Sequence, residues 1–182
     1  MDGSGKSTII SKLKDELSNS GQKVVVTHTR LKLFGIKKSK NLIGKRPSYG
    51  VPRSTLVSLI KLIAFNLEEL LFKIIHRDIN YIIYDRSIHD ILIDPGRFRM
   101  RLTPFIILSI KILFKLPETI IYLSGDLMKI QERKPELSLE EMAAMNKGYV
   151  RIYSEFSHLK IDTTKDNIDT CVNKVMIYVK DN

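Results

Sequence analysis

The chain has 182 residues, of which 43% are hydrophobic and 27% are charged, and these proportions are ordinary for a globular protein of one domain with a sizeable core. Its single cysteine, Cys171, excludes an internal disulfide framework and a cysteine zinc cluster, and it fits a reducing compartment such as the cytoplasm. The formal net charge of +10 predicts attraction to polyanionic partners, namely nucleotides, nucleic acid or an anionic membrane.

The first element in chain order is a glycine-rich loop that leads into a helix. Residues 2–8 read Asp-Gly-Ser-Gly-Lys-Ser-Thr, and apolar residues at helical spacing follow at Ile9, Ile10, Leu13 and Leu17. This is most of the phosphate-binding P-loop G-x-x-x-x-G-K-[ST], whose first glycine would stand before Met1. The alternative is a glycine-serine turn that caps an ordinary helix.

The residue types in this loop suit a phosphate site. Gly3 and Gly5 allow close backbone approach, and amides at a helix N-terminus can donate to phosphate oxygens. Lys6 would reach the β- and γ-phosphates of ATP, and Ser7 Oγ would ligate Mg²⁺. We therefore expect seven residues to bind the nucleotide: Asp2, Gly3, Ser4, Gly5, Lys6, Ser7 and Thr8.

Strand and helix patterns alternate along the rest of the chain. We expect strands at 23–29, 81–84, 119–123 and 159–162. A loop is expected at 31–51. We expect helices at 52–76, 102–116, 126–133, 138–156 and 167–180, the fourth of them opened by a capping box of Ser138 and Glu141. This alternation predicts an α/β fold with three layers, a parallel sheet with helices on both faces.

Two stretches, 56–72 and 102–116, are strongly apolar. Charged residues interrupt both, so neither offers the roughly 18 uncharged residues of a membrane span. Helices buried against the sheet are the favoured interpretation, and a helix on a membrane surface is the alternative.

Positive charge is concentrated around the expected loop. Eight basic residues occur there with no acidic residue between them: Arg30, Lys32, Lys37, Lys38, Lys40, Lys45, Arg46 and Arg53. The segment could bind nucleic acid, although Phe34 and Tyr49 are its only aromatic residues for base stacking. Solvated loop charge is the other interpretation, and no specific nucleic-acid partner is expected.

With these motifs in this order, the chain resembles the thymidylate-kinase-like branch of the P-loop nucleoside and nucleotide kinases. The loop at 2–8 has the form which that branch favours, and Asp85-Arg86 directly after the strand at 81–84 matches its D-R motif. Residues 84–98 are similar to D-R-Y-Y-x-D-x-x-x-D-P-x-R, and residues 132–141 stand where these kinases place a basic lid. The resemblance covers nearly all of residues 1–182, as one domain with a lid near 126–141.

The resemblance implies phosphoryl transfer from ATP with Mg²⁺, most simply from ATP to thymidylate. Ser7 and Asp85 would hold the metal, and Arg86 would bind the acceptor phosphate. Arg133 would close over the transferring group as a lid cation. The implied catalytic residues are Lys6, Asp85, Arg86 and Arg133, and the implied acceptor-binding residues are Arg30, Arg86 and Asp90.

Two departures from the family pattern keep other interpretations open. Only Thr29-Arg30 matches the family's T-R-E-P, so the acceptor could be another nucleotide, a nucleoside or a different substrate. The strand expected before the loop is absent, which suggests that Met1 is an internal methionine and that this form has low stability and low activity. An inactive remnant that binds a partner and a homodimer are both left open.

Overall fold

The protein is described by a computed structural model at residues 3–28, 51–115, 117–154 and 158–181. These residues form four strands, β1 Val24–Thr27, β2 Tyr81–Tyr84, β3 Ile121–Ser124 and β4 Leu159–Asp162. They also form seven helices, α1 Lys6–Asn19, α2 Thr55–Ile75, α3 Pro95–Phe98, α4 Pro104–Leu113, α5 Leu127–Arg133, α6 Leu139–Tyr153 and α7 Ile168–Asp181, and a 3₁₀ helix at Ile88–Leu92.

The predicted order of strands and helices is confirmed, with shorter ends. Helix α4 begins only at Pro104, because the Thr103 hydroxyl accepts a hydrogen bond from Ile106 N at 3.3 Å and caps the helix there. The predicted capping box of Ser138 and Glu141 is present at the start of α6. The loop predicted at 31–51 lies outside the described residues except for Val51.

Two short elements, the 3₁₀ helix and α3, are not predicted by the sequence patterns. The 3₁₀ helix follows Ser87, whose hydroxyl accepts from His89 N, and α3 follows Asp94, whose carboxylate accepts from Arg97 N. Both elements have five residues or fewer, which is too short for a hydrophobic period to show. Asp94 is thus the N-cap of α3, in a turn with Pro95 and Gly96.

The described residues divide into two compact units, and the first comprises residues 1–26, 80–85 and 117–182. Its strands form two separate two-stranded sheets, β1 with β2 and β3 with β4. Strands β3 and β4 are parallel, with Ile121 opposite Leu159 and Ser124 opposite Asp162. Among the strands described, β2 and β3 do not pair with each other. The parallel pairing expected from alternating strands and helices is therefore seen between β3 and β4.

The core of the first unit lies between α1, α7 and the strands. Its fully or nearly buried members come from α1, β4 and α7, and they are Ile9, Leu13, Leu17, Ile161, Cys171, Val172 and Val175. Side chains of all four strands pack against this cluster. The helical spacing of apolar residues in α1 therefore predicts its buried face correctly.

The second unit comprises residues 27–79 and 86–116, and its core is helical. It is formed by α2, the 3₁₀ helix, the turn before α4, and α4, through Leu62, Phe65, Ile88, Ile91, Met100, Ile106, Ile110 and Phe114. Asn66 Nδ2 donates to Leu113 O at 2.8 Å, and Lys61 Nζ donates to Phe98 O at 3.1 Å. Two polar contacts therefore fix α2 within this unit.

The expectation that α2 is a buried helix holds for only part of its surface. Only Ser58, Leu62, Ala64 and Phe65 are buried along its 21 residues, and of these Leu62 and Phe65 belong to the helical core of the second unit. Most of its other apolar side chains are exposed to solvent. Within the described ranges, no helix combines the length and the apolar character needed to cross a membrane.

Candidate active site

The segment Gly3–Lys6 forms a tight loop that opens α1. Gly3 and Gly5 have φ angles of +84° and +72°, a region that residues with a Cβ rarely adopt. Ser4 between them is buried, and Gly5 is the N-cap of α1. In the described part of the chain, no side chain caps this helix and its first turn has no acidic residue. The N-terminus of α1 is therefore suited to an anion.

Gly3 also makes a close contact that the sequence motif does not predict. A Cβ added to Gly3 would lie 2.7 Å from Ile130 O and 3.2 Å from Lys134 Cβ. The loop thus packs directly against the C-terminal part of α5. Gly5 has open space around its Cα, so its positive φ alone accounts for a glycine at that position.

Lys6, the first residue of α1, forms an ion pair with Asp85. Asp85 directly follows β2, so the pair joins the glycine-rich loop to the end of a strand within the first unit. The two side chains are 23% and 12% exposed, so the charges are shielded from water but still accessible. The structure thereby brings together two residues that the sequence predicts to be catalytic.

Arg86 and Asp90 lie in the second unit and form an ion pair at 3.7 Å between Arg86 Nη1 and Asp90 Oδ2. Both side chains are largely buried, at 14% and 9% exposure. Asp90 belongs to the 3₁₀ helix and accepts the hydrogen bond of Asp94 N through its backbone oxygen. Both residues are predicted to bind the acceptor, and the structure places them against each other.

His89 precedes Asp90 in the sequence, and its side chain is buried. Ser87 Oγ lies 2.9 Å from His89 Nδ1. Burial lowers the pKa of His89, while a hydrogen bond with the Phe114 backbone and the charge of Glu69 raise it by less. The imidazole is therefore held in its neutral form by its surroundings. Its packing in the core agrees with a structural role.

Arg133 ends α5, and its two terminal nitrogens donate to Thr163 O at 3.3 and 3.4 Å. The five residues between α5 and α6 are tied back by Gln131 Nε2, which donates to Leu137 O at 2.8 Å, and by an ion pair of Lys134 with Glu136. Residues 134–138, within the segment 126–141 expected to form a lid, are therefore a compact turn between α5 and α6. The predicted lid cation, Arg133, is bound to the loop after β4.

The loop after β4 makes a close contact with Gly125 that the sequence does not predict. Asp162 Oδ1 accepts from Thr164 N and Thr164 Oγ1, and these hydrogen bonds lower the pKa of Asp162. A Cβ added to Gly125 would lie 2.6 Å from Thr164 Cγ2. The segment at 162–164 thus packs against the residues that lead into α5.

The other residues considered for the site lie in α1, in α6 or outside the described residues. Ser7 and Thr8 are exposed in the first turn of α1. Tyr149 and Tyr153 of α6 are buried and stacked in a row with Tyr122, so they are core side chains. Asp2 and Arg30, predicted to bind ATP and the acceptor, lie outside the described residues.

The metal ligands expected from the sequence are oxygen atoms, which Mg²⁺ prefers. They are the exposed hydroxyl of Ser7 and the carboxylate of Asp85. Among the described residues there is no group of three or more His, Cys, Asp or Glu side chains that could hold a metal ion.

Comparisons with known proteins identify solved structures with a similar fold, but they do not assign the chain to a family. No protein-family model matches the sequence, and no curated protein does. Among solved structures, the deoxyadenosine kinase from M. mycoides with the products dCMP and dCDP bound is similar, with a TM-score of 0.61 and 16% identity over 100% of this chain and 96% of that chain. The same kinase with dATP bound has a TM-score of 0.59 and 16% identity over 99% and 95%. The chain therefore shares the fold of this kinase, which confirms an α/β fold of that type.

Proposed function

We propose that the chain is an ATP-dependent phosphotransferase whose acceptor is a nucleoside. The observation that carries the proposal is the ion pair of Lys6 with Asp85, formed where a loop with two positive-φ glycines opens a helix. Lysine, backbone amides and a carboxylate at the end of a strand are the groups that phosphoryl transfer needs for positioning and for charge neutralisation. The shared fold with a deoxyadenosine kinase supports the same reaction class.

On the donor side, Lys6 and the amides at the start of α1 would hold the phosphates of ATP. Asp85 now neutralises the Lys6 ammonium, so a bound phosphate would compete with the carboxylate for this cation. Release from Lys6 would let the Asp85 carboxylate orient the acceptor hydroxyl or a metal-bound water. Ser7 and Asp85 would hold Mg²⁺, which when bound neutralises charge on the phosphate oxygens.

On the acceptor side, the Arg86–Asp90 pair favours a nucleoside. A nucleoside monophosphate brings negative charge and needs a cation to receive it. Arg86 already has a buried carboxylate beside it, so the pair carries little net charge. A neutral sugar or base could hydrogen-bond to such a pair without displacing either partner.

Thymidylate is the second candidate acceptor. It rests on the Asp2–Thr8 loop, the Asp85-Arg86 motif and the basic residues Arg133 and Lys134 between α5 and α6. In that case Arg86 would exchange Asp90 for the acceptor phosphate, and Arg133 would exchange Thr163 O for the transferring group. Both exchanges replace a partner seen in the structure with a more highly charged one.

The proposal extends to the sheet and to the location of the protein. Strands β2 and β3 pack against the same core as α1 and α7, which supports one helical layer on the strands. A single parallel sheet with a second layer of helices on its other face is part of the proposal. The proposed enzyme is a single domain with a lid near residues 126–141. The unpaired, buried Cys171 fits a cytoplasmic enzyme.

The test is transfer of label from γ-labelled ATP to a panel of four deoxynucleosides and their monophosphates, with and without Mg²⁺. We expect label on at least one deoxynucleoside, and none with Lys6→Ala. The Arg86→Lys variant, which keeps the charge opposite Asp90, should raise KM for the acceptor more than KM for ATP. Label on thymidylate alone would show that the acceptor is thymidylate and not a nucleoside.

Absence of label on every nucleoside and nucleotide would contradict the proposed function. A nucleic-acid-binding protein would instead show binding to single-stranded DNA that falls steeply with salt and does not change with ATP.

A further inference from the structure

Two basic stretches that are separate in the sequence meet in the second unit. The first is the run of basic residues that ends at Arg53, and the second comprises Arg97, Arg99 and Arg101. Arg53 N donates to Arg99 O, and Arg101 N donates to Ser58 Oγ, at 3.1 Å in each case. The backbone that follows α3 therefore lies along the start of α2, and the proposed function does not use this surface.

Lys61 of α2 adds a third cation at this place. Its Nζ donates to Phe98 O at 3.1 Å, so the ammonium group lies beside the backbone that leads into Arg99. Burial lowers the pKa of Lys61, and the positive charges of Arg53 and Arg99 lower it further. Within the described ranges, no carboxylate is among the charges that act on this ammonium group. Arg53, Lys61 and Arg99 thus form a cation cluster whose members repel one another.

Arg99 has a backbone conformation in which arginine is rare. It ends the short helix α3 with φ of +52°, and it is the only described residue other than glycine with a positive φ. Glycine is the usual residue where a helix ends in this conformation, because it has no Cβ. A guanidinium group is therefore present where the backbone alone favours glycine, and rare conformations of this kind concentrate at ligand-binding positions.

The cation cluster can receive a ligand from solvent. Arg53 and Arg99 are exposed, and Lys61 is partly buried. None of the ion pairs formed among the described residues includes a member of the cluster. The cluster therefore presents positive charge that no carboxylate of the described residues neutralises.

We propose that the cation cluster binds the diphosphate group of a small ligand, at residues distinct from the glycine-rich loop. Guanidinium groups bind phosphate oxygens through paired hydrogen bonds, and a lysine ammonium group adds a point charge. A terminal phosphate carries about 1.5 to 2 negative charges at pH 7. A diphosphate, which has one further ionised phosphate, therefore matches three cations better than a single phosphate does.

A compact ligand suits the cluster better than a strand of nucleic acid. Both guanidinium groups act on one ammonium group, so the positive charge is concentrated at one place and not spread along a line. The neighbouring aromatic ring, Phe98, packs edge-on against Phe65 of the helical core, with 6.4 Å between the ring centroids. Phe98 is thus engaged in the core and does not offer a platform on which a base could stack.

The experiment is isothermal titration with pyrophosphate in the absence of Mg²⁺. All proteins carry Lys6→Ala, which weakens competing binding at the glycine-rich loop. We expect Arg99→Gly and Arg53→Ala each to weaken pyrophosphate binding roughly tenfold or more, as for a lost hydrogen bond to a charged group. Lys111→Ala should leave the affinity unchanged, and it is the matched control because Lys111 is an exposed cation of the same unit, on α4.

Arg99→Gly separates loss of the ligand from loss of the fold. Glycine suits the positive φ at this position, so the variant should keep its helical circular dichroism and its melting temperature while it loses pyrophosphate affinity. Methyl diphosphate is titrated in parallel. Tighter binding of methyl diphosphate than of pyrophosphate would support a diphosphate ester as the ligand, and the reverse order would support the free anion.

No binding of pyrophosphate, or equal affinity in the two arginine variants and the Lys111→Ala control, would overturn the proposal. Binding of a single-stranded oligonucleotide that Arg99→Gly abolishes and pyrophosphate does not displace would also overturn it, and would assign the cluster to nucleic acid. These titrations do not use ATP, so their failure would be distinguishable from a failure of the proposed kinase activity.

Discussion

Lys6 and Asp85 form an ion pair although 79 positions separate them in the sequence. One begins α1 and the other follows β2, so the contact fixes the glycine-rich loop against the end of a strand. Because the pair is largely shielded from water, each charge helps to neutralise the other. An anion that binds at the start of α1 therefore also changes the surroundings of Asp85, which links donor binding to the proposed catalytic carboxylate.

The two glycines of the loop should respond differently to alanine. Gly3→Ala introduces a Cβ at 2.7 Å from Ile130 O in addition to the strain of a positive φ, whereas Gly5→Ala introduces the strain alone. A residue with a Cβ loses about 1–2 kcal/mol in this conformation, and overpacking adds roughly 1–3 kcal/mol. Thermal unfolding should show a larger fall in melting temperature for Gly3→Ala than for Gly5→Ala.

Gly21→Ala is the control for this comparison, since Gly21 has φ of +79° and open space around it, far along the chain from the loop. It should resemble Gly5→Ala in stability and the wild type in ATP binding. Equal melting temperatures for Gly3→Ala and Gly5→Ala would mean that the loop does not pack on α5.

His89 should make stability depend on pH on the acid side of neutrality. Burial lowers the pKa of its imidazole, so the unfolded chain binds a proton more readily than the folded chain. The contribution of His89 to stability is therefore complete above its unfolded pKa, about 6.5, and falls as the pH decreases below that value.

The measurement is urea unfolding at several pH values for the wild type and for His89→Asn, whose side-chain amide can replace Nδ1 beside Ser87. The wild type should lose more stability between neutral and acidic pH than the variant. Identical pH dependence in the two proteins would show that His89 does not set this behaviour.

Arg133 should act on turnover more than on nucleotide binding. Its guanidinium group now donates to Thr163 O and would have to leave that oxygen to reach a transferring phosphate. Arg133→Ala should therefore lower kcat by about two to three orders of magnitude, as for the loss of a single positioned donor, with little change in ATP affinity. Arg151→Ala, on the exposed part of α6, is the control. A fall in ATP affinity alone would assign Arg133 to donor binding.

The sequence predicts the elements well because their signals are local. Ile9, Leu13 and Leu17 repeat at helical spacing and are buried, and Ser138 with Glu141 forms the expected capping box. Local patterns do not identify the neighbour of a face, so the sequence could not show that α2 packs into a helical unit with one side exposed. The strand pairing, two separate sheets of two strands, also depends on distant contacts.

The candidate site is predictable in its residue types but not in its contacts. Lys6 and Asp85 can be named from their motifs, while their pairing needs the folded chain. The sequence offers no signal for the contact of Gly3 with Ile130 O or of Gly125 with Thr164, since the reason for each glycine is a neighbour remote in sequence. The partners of Arg86 and Arg133 are likewise visible only in the structure.

The central claim is that the loop at 3–8 binds the phosphates of ATP through Lys6, and isothermal titration with ATP and Mg²⁺ tests it most directly. Lys12→Ala is the matched control, because Lys12 lies on the same helix and forms a similar ion pair, with Asp169. We predict that the wild type and Lys12→Ala bind ATP equally, and that Lys6→Ala binds it roughly 10- to 100-fold more weakly, as expected for a lost hydrogen bond to a charged group. Equal affinity of the wild type and Lys6→Ala would contradict the account.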